Sequence, residues 1–70
     1  MKATITTKNG ITVSGKVTYL GSHTIALDTK LSANEADQLA KEEAHVSKLV
    51  FKAWHVQIPR RIIETYEVAD

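Results

Sequence analysis

Thr4-Ile5-Thr6-Thr7-Lys8-Asn9-Gly10-Ile11-Thr12-Val13-Ser14-Gly15-Lys16-Val17-Thr18-Tyr19-Leu20 is the stretch on which the fold turns. Ile11, Val13, Gly15, Val17 and Tyr19 share one parity, and Thr12, Ser14, Lys16 and Thr18 the other. That period of two marks a half-buried strand. A shorter apolar run, residues 3–7, precedes it, and Asn9-Gly10 lies between the two. Asn-Gly tolerates the positive φ that a type I′ turn demands, so the pair predicts a hairpin. On parity Tyr19 belongs to the core with Val13 and Val17. Gly15 inside the second strand predicts a bulge or a sharp bend. Gly21-Ser22 marks a turn, and His23 to Thr29 reads as a third strand.

Composition changes at residue 32. Ser32-Ala33-Asn34-Glu35 matches a capping box, in which Ser and Glu satisfy each other's backbone amides at a helix start. Ala36, Leu39, Ala40 and Ala44 follow at helical spacing, predicting a helical insertion over 32–45. From Val46 the β-branched and aromatic residues return, in a run too long for one straight strand. Two registers compete. In one, Lys52-Ala53 breaks the run and a short last strand covers Trp54 to Ile58. In the other, the strand continues to Ile58, Pro59-Arg60-Arg61 forms a tight turn, and Ile62 to Val68 is the last strand. Proline suits a strand end better than a strand centre, and the second register gives Ile62, Ile63, Tyr66 and Val68 a place to be buried. The expectation is one domain over 1–70: a mainly β, five-stranded, strongly bent small barrel with one helical insertion between strands three and four.

A chain of 70 residues without cysteine has a small core and no disulfide to reinforce it. Self-association is then the expected reinforcement. The absence of cysteine and of any long apolar run predicts a cytoplasmic protein with no membrane partner. Net charge is only +1, yet the charges are sorted. Residues 1–27 and 46–63 carry Lys or Arg and no acid, whereas Asp28, Glu35, Asp37, Glu42 and Glu43 fall between them. Such sorting predicts a positive face with an acidic appendage.

With these residues laid out, the chain resembles the Sm-like (Lsm) family, which includes the bacterial Hfq RNA chaperones. Thr4 to Leu20 is similar to the family's first motif: an apolar strand, an Asn-Gly turn, and a strand with a glycine five residues on. Ser47-Lys48-Leu49-Val50-Phe51-Lys52 is similar to the start of its second motif, whose closing Arg-Gly or Lys-His pair is represented by Lys52-Ala53 in one register and Arg60-Arg61 in the other. The resemblance implies a homo-oligomer, possible ring closure through strand edges, and RNA as partner. His23, after strand two, is then a stacking residue, and Lys52, Arg60 and Arg61 are phosphate contacts. The rival is an SH3-like protein-interaction or structural module, with the 32–45 helix as its docking surface.

Trp54 and Phe51 are candidate stacking platforms, with at least one expected in the core. His23, His45 and His55 have no ligand spacing, so no metal is expected. There is no nucleophile motif and no framed carboxylate pair, so neither catalysis, nor a cofactor, nor a small-molecule substrate is expected.

Overall fold

The computed structural model describes residues 1–70. In chain order it places β1 (Lys2–Thr7), β2 (Thr12–Leu20), β3 (Thr24–Lys30), α1 (Ala33–Lys41), β4 (His45–Lys48), β5 (Ala53–Pro59), a 3-10 turn (Arg60–Ile62) and β6 (Ile63–Ala69). All neighbouring strands pair antiparallel, in one six-stranded open sheet of order β4-β5-β3-β2-β1-β6.

The β1–β2 hairpin forms in the register the alternation requires, Ala3 against Gly15 and Ile5 against Val13. Its turn is not type I′. Only Gly10 has positive φ, at 88°, while Asn9 does not. Gly10 N–H donates to Thr7 C=O (2.9 Å) and Thr7 N–H to Ile11 C=O (2.8 Å). Those bonds close a three-residue loop ending in a left-handed glycine, the other common hairpin solution.

Gly15 serves close approach, and the pairing keeps register there. A Cβ at Gly15 would sit 2.5 Å from the Asp28 carbonyl oxygen and 2.7 Å from Thr29 Cβ. The bulge comes later, between Val17 and Tyr19. Thr18 is the extra residue, and it reverses the parity of the strand beyond it. Leu20, not Tyr19, then shares the core side with Ile25, while Tyr19 pairs with Ala26 on the outer face. Tyr19 is accordingly 60% exposed, which corrects its assignment to the core.

The capping box forms as expected: Glu35 N–H donates to Ser32 Oγ (3.2 Å) and Ser32 N–H to Glu35 Oε1 (3.1 Å). These bonds favour the carboxylate and hold the Glu35 carboxyl below its usual range. The helix stops at Lys41, short of 45. Glu42 caps it, and Glu43 takes a left-handed φ of 70° that turns the chain toward β4. Ala36 and Leu39 are buried, so the apolar stripe of α1 packs into the core with Ile5, Ile25, Leu27, Val56 and Ile58. A docking role for the 32–45 segment would need that stripe to be free.

The strand count is six rather than five, because the run from Val46 to Ile58 divides. Leu49–Lys52 is a turn, closed by Leu49 N–H to Ala53 C=O (2.9 Å) and Ala53 N–H to Val50 C=O (2.7 Å). Phe51 and Lys52 both lie at positive φ, 27° and 64°. A turn of apolar residues without Gly, Pro, Asn or Asp carries no composition signal. The Pro59–Arg61 turn is present as well, so each competing register holds one of the two breaks. Trp54 is half-buried and its indole N–H donates to Leu31 C=O (3.2 Å), whereas Phe51 is 89% exposed.

Candidate nucleic-acid interface

The expected basic site does not assemble as one patch. His23 lies exposed in the β2–β3 turn, and its carbonyl accepts from Arg60 N–H (2.9 Å). Arg60 is committed to the fold. Its Nε donates to Gly21 C=O (2.7 Å) and its Nη1 to the Tyr66 hydroxyl (3.0 Å). The guanidinium also stands 5.0 Å from the Tyr66 ring centre. It clasps the β2–β3 turn to β6. Arg61 Nη2 donates to Glu43 Oε2 at 2.7 Å, so its charge is paired. Lys52 sits at the β4–β5 turn, the opposite end of β5 from Arg60.

The acidic insert is likewise woven in. Glu42 accepts both Asn9 Nδ2 hydrogen bonds (2.8 and 2.9 Å), tying the helix end to the first hairpin. Single-face charge sorting is therefore replaced by separate basic places: Lys2 and Lys16 on the outer face, Lys30, Lys48 and Lys52 around the β4–β5 turn, Lys8, Lys41 and Arg61 beside Glu42 and Glu43, and Arg60 in structural bonds.

The outer sheet face carries a better-formed site. In β5 the residues alternating with core Val56 and Ile58 are His55 and Gln57, and antiparallel pairing sets them beside Asp28 and Ala26 of β3. Thr18, Tyr19, Thr24, Ala26, His55 and Gln57 line an open cleft of about 370 Å³. Ala26, 2% exposed, is its floor, and Tyr19 is an aromatic wall. His55 Nδ1 lies 2.8 Å from Asp28 Oδ1. With the proton on Nδ1, His55 donates to that carboxylate and its Nε2 is left as an acceptor. Gln57 Nε2 approaches it at 3.4 Å, leaving the Gln57 oxygen and its second N–H for a ligand. Next along the face, Lys2 and Lys16 sit directly opposite each other. A like-charge cross-strand pair is unfavourable by itself, and an anion between the two would reverse that.

His23 adjoins this cleft through Thr24. Tyr19, His55, Gln57 and Lys16 escaped the sequence reading as site residues. The parity of β5 contained the signal for His55 and Gln57, since both alternate with Trp54, Val56 and Ile58. Nothing local announced the bulge that turns Tyr19 outward. Among the residues described there is no group of three or more His, Cys, Asp or Glu placed to hold a metal ion. The chain matches no family model, no curated protein and no solved structure.

Proposed function

We propose that the protein is a self-associating RNA-binding module that takes an unpaired base in the outer-face cleft. The observation that carries this reading is the exposed Tyr19 ring, packed against Gly21 at the rim of the cleft that Ala26 floors, with His55 and Gln57 lining the same cleft. An aromatic wall stacks on any base, and a side-chain amide reads the base edge. Lys16 and Lys2 supply phosphate contacts along the same face, and His23 extends the site at the turn. Under this reading the sheet is the curled Sm-like or SH3-like small barrel expected from the residue pattern, open between β4 and β6.

Those two strands are free edges, which invite pairing with another copy. Antiparallel pairing that sets Val46 of one copy against Tyr66 of the next matches core face to core face. It also brings His45 opposite Glu67, Ser47 opposite Thr65 and Lys48 opposite Glu64. Only 13 of 70 residues are buried in the single chain, so such pairing would reinforce a small core.

Fluorescence anisotropy with labelled oligo-U and oligo-A at low salt tests the proposal. Binding should weaken steeply with added salt, and Tyr19→Ala should cost about 1–3 kcal/mol. Affinity unchanged in Tyr19→Ala and Gln57→Leu, or no binding at low salt, removes the reading. Light scattering should show a multiple of the chain mass that falls when Glu64 and Glu67 become Lys.

A further inference from the structure

The β4–β5 turn presents Leu49, Val50 and Phe51 to solvent, 48%, 73% and 89% exposed. Three consecutive apolar residues at a turn tip are unusual on a surface with nothing to cover them. The turn is held firmly. Besides its own two hydrogen bonds, Lys52 C=O accepts from Leu31 N–H (3.0 Å). Phe51 and Lys52 stand in left-handed conformations that cost a non-glycine residue about 1–3 kcal/mol and persist only where surroundings enforce them. The fold spends stability to hold this tip out.

Beside it, Lys30, Lys48 and Lys52 line an open cleft of about 480 Å³ with Leu31, Ser32, Ala33 and Trp54, and no acidic residue lines it. The Lys and Arg ion pairs of the molecule are Lys41–Asp37 and Arg61–Glu43, and Asp28 is hydrogen-bonded to His55, so none of the three lysines is neutralised. Lys48 Nζ lies 6.0 Å from the Trp54 ring centre. The nearest acid along the chain after Ser32, Glu35, is turned back onto that serine.

We infer that this tip docks on an anionic lipid bilayer. Phe51, Val50 and Leu49 enter the boundary between headgroups and acyl chains, and Lys30, Lys48 and Lys52 meet acidic phospholipid headgroups. The charge is complementary, and a convex apolar tip ringed by cations suits a soft, flat, negative surface. A nucleic acid would satisfy the lysines and Phe51 but give Leu49 and Val50 no apolar medium. No helix is long and apolar enough to cross a membrane; surface docking needs none, and it revises the expectation of no membrane partner. The outer-face cleft shares no residue with this tip, so base binding and bilayer docking stand or fall separately; only Lys48 is common to the tip and the proposed β4–β6 seam.

Trp54 is the only tryptophan and lines the cleft, so its emission reports docking directly. The full chain is titrated with vesicles of phosphatidylcholine alone and of phosphatidylcholine mixed with phosphatidylserine, and sedimented with them. Binding is expected to the mixed vesicles only, with an emission shift to the blue and weakening by salt. Phe51→Ser and Val50→Ser should each lower partitioning about tenfold, and each of Lys30→Gln, Lys48→Gln and Lys52→Gln about fivefold. These side chains are exposed, and circular dichroism should show each variant folded. Absence of binding to mixed vesicles at low salt overturns the inference. So does binding that survives both serine variants, which is charge attraction alone. The same holds if Phe51→Ser lowers the mass of the chain in solution without affecting vesicle binding, since the tip is then an interface between copies.

Discussion

Replacing Leu39 by Ala tests whether α1 is part of the core or an appendage. Leu39 is 1% exposed and is the only large apolar side chain that α1 buries, since its other buried residue is Ala36. Truncation removes the helix's anchor and leaves a cavity against the sheet, a change that costs about 2–5 kcal/mol. A chain of 70 residues has a total stability of about 4–10 kcal/mol on ordinary scaling, so the loss is a large fraction of the whole. Urea unfolding followed by Trp54 emission and far-ultraviolet circular dichroism measures it. Trp54 is a suitable reporter because, together with Ala36, Ala40 and Val46, it lines the groove between helix and sheet. With a slope of about 1 kcal/mol per M, a loss of about 3 kcal/mol lowers the midpoint by about 3 M. Both signals should move together. A loss below about 1 kcal/mol, or a fall in helical signal with the Trp54 transition unmoved, would show that the sheet stands without the helix.

Gly15→Ala should destabilise by about 1–3 kcal/mol in thermal melts, because the new methyl meets the Asp28 carbonyl at 2.5 Å; a neutral result would mean that β2 and β3 separate easily there. Arg60→Ala should cost about 1–3 kcal/mol, having removed the bonds to Gly21 and Tyr66, whereas Arg61→Ala, which loses an exposed ion pair, should cost less than about 1 kcal/mol. Equal losses would refute the division of roles. Glu35 has a folded pKa below its unfolded one, so its capping contribution is full above the unfolded value and disappears as pH falls through the folded value. Helical circular dichroism should show that acid step, and Glu35→Gln should remove it.

Elements with local chemistry were legible. The alternation of Ile11 to Val17 and the Ser32–Glu35 box each specify their structure within a few residues, and Asn9-Gly10 marks the hairpin though not its turn type. The features that escape a sequence reading are set by contacts distant along the chain. Leu49–Lys52 turns because its ends pair into β4 and β5 and Leu31 holds Lys52, against the preference of its own residues. Arg60 looks like a free surface cation until Gly21 and Tyr66 are brought to it from either side in the chain. Gly15 stands out within its strand, but its reason lies in Asp28 and Thr29, which only the sheet brings near. Of the candidate site, His23 and Lys52 remain available to a ligand, at opposite ends of the molecule.

The inserted residue at Thr18 has one more implication. Upstream of it the odd-numbered side chains of β2 point inward; downstream the even-numbered Leu20 does. Losing a single residue between Val17 and Tyr19 would swing the tyrosine to the core side and turn Leu20, now 46% exposed on that side, to the outer face, whatever amino acid was removed. Chain length in that segment is thus constrained more tightly than chemical identity, and variants there should accept replacements far more readily than gaps.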